Sequence, residues 1–316
     1  MHSHAGANSG DKRVLWAVAA NFLLTFAQIV GGILSGSLSL IADALHNFSD
    51  AASLVIAFAA RRIARRPSDE IMTFGYVRAE IVAALINYTT LIIIGIYLLY
   101  EAVMRFIEPQ PIEGWLVVMV AGIALLVDVV TAFLTYALSK ESMNIRAAFV
   151  HNVADALGSL GVIAAGTLIL LYQWDWVDPL VTLMIAAYVL WQAYSEIGGS
   201  IRLLMLGSPP GLDIKALVNT LRHMEGVDDV HHVHVWAIDE QQNAVEAHIV
   251  TKTAGSRSET IKEQIKIALK EQYGIGHSTL EFEQAGATCE RESVKVIGHD
   301  VEAAHGGKEQ TGNRHI

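Results

Sequence analysis

The sequence predicts an all-α six-helix transmembrane domain followed by a small cytoplasmic α+β domain. Three observations carry this. The 316 residues are 53% hydrophobic and only 17% charged, with a mean hydropathy of +0.39, the composition of a polytopic membrane chain. The first two-thirds reads as apolar blocks of about twenty residues, each long enough as a helix to cross ~30 Å of hydrocarbon. After Leu206 the segment GSPPG ends that pattern, and helical and strand periodicities alternate beyond it.

Taken in order, residues 1–12 form a polar N-terminal tail, 13–206 the transmembrane domain, 207–286 the cytoplasmic domain and 287–316 a polar, Gly-rich tail expected to be disordered. Hydropathy places the spans at 14–34, 38–60, 78–100, 115–138, 147–171 and 177–203. A cleaved signal peptide would have a shorter apolar core, so 14–34 reads as a retained helix. Lys12, Arg13, Arg61, Arg62, Arg65, Arg66, Lys140, Arg146 and Arg202 fall on one side, and only Arg105 falls on the other. Both termini are therefore expected in the cytoplasm, with Trp115, Trp174 and Trp176 at the outer interface. Small residues (Gly31, Gly32, Ala154, Gly158, Gly161, Ala165) recur inside the spans, where they let backbones approach.

In the soluble part, Asp213 opens a helical pattern over 213–224. Residues 230–238 and 244–250 alternate as strands, 259–273 is an amphipathic helix stopped by Gly274, and 278–283 is a third strand. The net charge of −10 argues against a nucleic-acid partner. Cys289 is the single cysteine, so there is no intramolecular disulfide and no Cys-based zinc finger.

The second span carries LSLIADALHNFSD. Asp43 and His46 are i,i+3 and His46 and Asp50 are i,i+4, so all three share a helical face. The fifth span repeats the device in AFVHNVADALGS, with His151 and Asp155 at i,i+4. Two imidazoles and two carboxylates suit a tetrahedral divalent cation, zinc first. Ionisable groups cost several kcal/mol at the bilayer centre and commonly mark an ion path.

These motifs give the chain a resemblance. SLSLIADALHNFSD, FGYVRAEIVAALIN, AAFVHNVADALGSLGV, WVDPLV and HVHVWA, in this order, resemble the cation diffusion facilitators, in particular their bacterial zinc-efflux branch, over about 14 to 283. The resemblance implies a homodimer whose cytoplasmic domains are ferredoxin-like, or metallochaperone-like, and which exchanges metal for protons by alternating access. It implies His46, Asp50, His151 and Asp155 as the transport site, a divalent metal as cargo rather than cofactor (zinc first, with cobalt, cadmium or nickel as alternatives), and a structural or regulatory zinc at His231, His248 and Glu283. The short 139–146 connection lacks a His-rich loop, which favours a bacterial inner-membrane protein.

Asp43 is expected to orient His46, relay protons or line an entrance vestibule. Asp128, an acid in the fourth span, is expected to line the proton path or pair with a neighbour. The sequence also departs from the family pattern. Asp69 matches a loop-site aspartate, but Met72 and Tyr76 stand where histidines would be, so no loop metal site is expected. Arg78 lacks an acidic partner because Leu206 occupies that position, which leaves Glu80 or a lipid phosphate. His232 replaces the aspartate usual after His231, His234 is expected on the opposite strand face, and His277 is not expected to ligate. His2, His4, His299, His305 and His315 are expected to be solvated.

Other functional classes fit less well. An interhelical hydrogen-bond network gains only ~0.6–2 kcal/mol per contact, which is little return for two His-Asp pairs. An intramembrane metalloenzyme needs an open coordination position, and four ligands already fill a tetrahedron. A non-transporting metal sensor does not require six spans around a midplane site.

Overall fold

The computed structural model describes residues 22–136, 143–239, 241–251, 256–284 and 296–297. The expected N-terminal tail and most of the C-terminal tail, with Cys289, lie outside these residues. So do His2, His4, His299, His305 and His315.

Six helices follow one another: α1 (Phe22–Ser35), α2 (Leu38–Ala64), α3 (Ala79–Ile107), α4 (Gly114–Tyr136), α5 (Met143–Tyr172) and α6 (Val177–Leu204). Helices α3 to α6 are long and apolar enough to cross a membrane. The described part of α1 is shorter. Helix α2 has the length, at 27 residues, but Asp43, His46, Asn47 and Asp50 dilute its hydropathy. Apart from Leu38 and Leu40, its buried residues are small or polar, including Ser39, Ala42, Asp43, His46, Asn47 and Ser49. Phe58, Leu126, Phe133 and Leu157 are largely exposed on α2, α4 and α5, as lipid-facing positions of a bundle should be. Inside the bundle, close approach replaces hydrophobic bulk. A Cβ on Gly166 of α5 would sit 2.9 Å from a Val117 methyl on α4. On Gly158 it would lie 3.4 Å from the Asp43 carboxylate, so a glycine there leaves room for that acid.

The second compact unit contains the loop 64–81 and the chain from 199 onward. Helix α7 (Ile214–Arg222) is capped by Asp213, whose carboxylate accepts from the Ala216 amide at 3.0 Å. Strands β1 (Val227–Ala237) and β2 (Asn243–Thr251) pair antiparallel. Helix α8 (Ser256–Tyr273) then crosses over to β3 (Ile275–Gln284), which lies parallel to β2. Gly274, at φ 64°, stops α8. Leu217, Leu221, Val230, Val245, Ile249, Ile265, Leu269 and Ile275 form the core between the helices and one sheet face. Each element lies where its periodicity puts it, with ends moved by a few residues.

Two expectations are corrected. His231 pairs with His248 and His234 with Glu246, so one extra β1 residue is accommodated between them. His232, at φ 55°, sits in this bulge. The bulge resets the alternation, and His234 joins the face of His231 instead of the opposite one. The tail is also not wholly without structure: the Val233 amide donates to the Val296 carbonyl at 3.0 Å, and Val233 bridges Ile297 in parallel.

Candidate metal centre

Helical spacing brings His46 and Asp50 of α2 to the same place as His151 and Asp155 of α5. His46 Nε2 lies 3.6 Å from Asp50 Oδ2 and 3.5 Å from Asp155 Oδ1. His151 Nε2 lies 3.2 Å from Asp50 Oδ2 and 3.5 Å from Asp155 Oδ2. Ligands ~2.0–2.2 Å from a tetrahedral zinc stand about 3.3–3.6 Å from one another. The His46, Asp50 and Asp155 ligand atoms lie within 4.8 Å of one another, a set that suits a small cation, and His151 adjoins it through Asp50 and Asp155. Both ring nitrogens of His46, Asp50 Oδ2 and Asp155 Oδ1 are buried with no hydrogen-bond partner. Buried polar atoms left this way are costly unless something else satisfies them. Two carboxylates also cancel the charge of a dication, so a complex with neutral imidazoles is neutral at membrane depth.

Asp43 is buried beside the quartet and hydrogen-bonded to other helices. Its Oδ2 accepts from Gln28 Nε2 of α1 at 2.7 Å and from Ser159 Oγ of α5 at 3.3 Å. It does not orient His46 by a hydrogen bond, because neither His46 nitrogen has a partner. Asp128 pairs with a neighbour, its Oδ2 lying 3.0 Å from the same Ser159 hydroxyl. Ser159 thus stands between the two acids.

The sequence reading assigned no role to Gln28, Ser159, Tyr188 or Asp178. The Tyr188 ring of α6 meets His46 edge-on at 6.2 Å. Asp178, in the first turn of α6, is fully buried against the start of α2. The WVDPLV segment was a signal for Asp178. Nothing in the pattern around Gln28 or Tyr188 distinguishes either from ordinary span residues.

A second cluster forms on the sheet face away from the apolar core. His231 of β1, His248 of β2 and Glu283 of β3 each offer a ligand atom within 4.8 Å of the others. His248 Nδ1 and Glu283 Oε1 are 2.6 Å apart, and His231 Nε2 is 3.6 Å from Glu283 Oε2. The His231 Nε2 is buried and without a hydrogen-bond partner, which suits a bound cation. His232 stacks on His248 at 4.6 Å and meets His234 at 5.1 Å, so the bulge gathers four imidazoles. His277 is turned to Phe74 at 6.0 Å, away from this set.

In the loop, Asp69 is already occupied. Its Oδ1 accepts from the Ile71 and Met72 amides at 2.9 and 2.7 Å, and its Oδ2 from the Tyr76 hydroxyl at 2.7 Å. The Tyr76 bond first, then the two amides, hold its carboxyl below the usual range, while the same bond pushes the Tyr76 phenol up. Arg78, left without an acid at Leu206, donates to the carbonyls of Ala237 and Ile238 at 3.3 Å each.

Comparison with known proteins gives matches along most of the chain. A family model described as the cation efflux transmembrane domain matches residues 14–205, and one described as the cation efflux protein cytoplasmic domain matches 209–285. The chain is 35% identical over 291 residues to a cadmium, cobalt and zinc/H(+)-K(+) antiporter of Bacillus velezensis, covering 90% of this chain and 92% of that one. It is 33% identical over 290 residues to the metal cation efflux system protein CzcD of Cupriavidus metallidurans, covering 92% and 90%. It is 34% identical over 318 residues to the zinc transporter ZitB of Pectobacterium atrosepticum, covering 99% and 98%. Among solved structures, the metal-bound C-terminal domain of the CzcD transporter matches at 25% identity and a TM-score of 0.22, covering 23% of this chain and 99% of that one.

Proposed function

The chain belongs to the cation efflux family, and from that premise we propose that it exports zinc across a bacterial inner membrane as a metal/proton antiporter working by alternating access. It is a multi-pass membrane protein of a family of divalent-metal exporters. The observation that carries the finer reading is the quartet of His46, Asp50, His151 and Asp155, with separations of 3.2–3.6 Å and orphaned buried atoms.

The chemistry follows from the donors. Zinc binds the neutral imidazole, so metal and proton compete for His46 and His151. An unperturbed imidazole titrates near pH 6.5, within reach of both faces of a bacterial membrane. Metal leaving toward the more acidic face frees nitrogens that protons then take, and this couples the two fluxes. The mixed nitrogen/oxygen set favours zinc over harder cations that prefer oxygen alone. His231, His248 and Glu283 would hold a resident zinc that ties together the three strands supplying them, stabilising the domain by mass action. The homodimer and cytoplasmic termini belong to the same proposal, supported by the matched cytoplasmic-domain family and the arginine distribution.

Everted vesicles with an imposed pH gradient provide the test. Zinc should accumulate when the interior is acid, and collapse of the gradient should stop it. Accumulation indifferent to the gradient would remove the proton from the scheme. Zinc binding without accumulation would favour a membrane sensor.

A further inference from the structure

Asp178 is a fully buried carboxylate outside the quartet, and its carboxylate's partners among the described residues lie at the start of α2. Its Oδ1 accepts from Ser37 Oγ at 2.5 Å, Ser39 Oγ at 2.6 Å and the Ser39 amide at 3.2 Å. Its Oδ2 accepts from the Leu38 amide at 2.7 Å and lies 3.3 Å from the Ser39 amide. A helix opens with unsatisfied amides, and an anion there is favoured by both hydrogen bonds and the helix dipole. Here the capping anion comes from another helix, α6. The same α1–α2 turn is held at two further points: Arg105 of α3 donates to the Gly36 carbonyl, and the Glu113 amide donates to the Ser35 carbonyl at 2.8 Å. Just beyond, Leu38 and Ala42 of α2 pack against Leu98 and Ala102 of α3 and Ala186 of α6. One end of α2 is thus tied to α3 and α6 by an ionic and hydrogen-bonded seam with apolar packing beneath it.

The quartet is more buried on that side than on the other. His46 and Asp155, the members nearer the seam, are 7% and 10% exposed. Asp50 and His151, one turn further from it, are 25% and 36% exposed. The ligands are therefore less covered toward the end of the helices opposite Asp178.

We infer that Asp178 is the latch of the outer gate: its carboxylate, by capping α2 from α6, keeps the site shut toward the outside while it faces the cytoplasm. This rests on the proposed transport site and orientation. Opening outward requires the start of α2 to part from α6, and then the Asp178 contacts must break or be exchanged for water. Asp178 touches no metal ligand. It acts by setting which face of the membrane reaches them, so it is a positioning residue.

The test uses Ala42→Cys as reporter in the full chain with its single cysteine removed by Cys289→Ser. Ala42 is fully buried in the seam. Labelling by a membrane-impermeant maleimide added from the outside should be slow in this background and at least tenfold faster with Asp178→Asn. Zinc affinity in detergent should stay within about threefold, while zinc flux falls. Ser37→Ala/Ser39→Ala removes hydroxyls from the other side of the latch and should move labelling the same way, by less. Asp178→Glu should restore part of the protection. Unchanged labelling in Asp178→Asn would overturn the latch. So would loss of zinc affinity in both Asp178→Asn and the double serine variant, because Asp178 would then be a structural anchor alone. If the parent binds zinc without moving it, the transport reading fails while the labelling result still reports on the seam.

Discussion

His46 of α2 and Asp155 of α5 face each other with Nε2 and Oδ1 3.5 Å apart, and neither atom has a hydrogen-bond partner. Both are nearly buried. In a helix bundle with little polar surface, two such atoms would ordinarily turn to a serine or a backbone carbonyl. Nearby Asp43 does so, taking Gln28 and Ser159. Orphaned ligand atoms beside satisfied neighbours support the proposed cation site over a general polar seam.

His46→Ala or Asp155→Ala should abolish zinc flux, with expression and membrane insertion at parental levels. Each variant leaves a three-ligand site with surplus charge or an unfilled coordination position. The measurement is zinc uptake into proteoliposomes matched for protein content. Parental uptake by either variant would remove that residue from the path.

Asp69→Ala should leave transport within about tenfold of the parent, equivalent to ~1.4 kcal/mol, because the carboxylate is spent on the loop's own amides and Tyr76. Its effect should appear in the loop instead, as faster proteolysis near Phe74. The pH dependence has a definite sign. Asp69 is held low, so its contribution is present above the unfolded value of about 4 and lost as pH falls through the lower folded one. Tyr76 is held high, so its contribution is present below about 10 and lost as pH rises through the higher folded one. Protection of the loop should be flat from about pH 5 to 9. A steep change inside that window would contradict the Asp69–Tyr76 bond.

His231→Ala or His248→Ala should abolish the rise in melting temperature that zinc gives the cytoplasmic domain within the full chain. At a hundredfold excess over Kd, a bound ion stabilises by about 2.7 kcal/mol, enough to read by differential scanning fluorimetry. His277→Ala, whose ring is turned to Phe74, should retain the zinc response. A response lost in His277→Ala and kept in His231→Ala would reverse the assignment.

How much of this was legible beforehand follows from the range of each interaction. His46, Asp50, His151 and Asp155 announce themselves because i,i+4 spacing is local and charge inside an apolar block is conspicuous. The strands of the soluble domain likewise follow from alternation. The face of His234 was misread, because a bulge at His232 depends on how β1 meets β2 and leaves no mark in β1 alone. Asp43 could be seen but not its partner, since Gln28 lies on another helix and a glutamine in a span has many readings. Asp178 was visible as part of WVDPLV, yet its target is the start of a helix far away in sequence. The pairing of Val233 with Ile297 was hidden by the composition around it, which reads as tail.

Ion choice and proton coupling should change together at His46. His46→Asp keeps four ligands around the site but replaces a nitrogen by an oxygen and adds a negative charge. The site becomes harder, so transport of manganese relative to zinc should rise. Cadmium should also gain on zinc despite its softness, because it is the larger ion and a carboxylate can offer it two oxygens where an imidazole offers one nitrogen. The pH profile should move to lower pH, since an unperturbed carboxylate deprotonates near 4 and an imidazole near 6.5. Coupling should weaken for the same reason, because a group that seldom holds a proton on either face carries fewer across. The measurement is flux of each metal over a pH series in proteoliposomes, with internal pH followed by a trapped dye. His46→Ala separates loss of the ring from gain of the charge: it should lose flux for every metal, whereas His46→Asp should lose zinc flux most. If His46→Asp preserves both the metal ranking and the pH profile, His46 is neither ligand nor proton carrier. The closeness of its Nε2 to Asp155 would then have to be explained by packing alone.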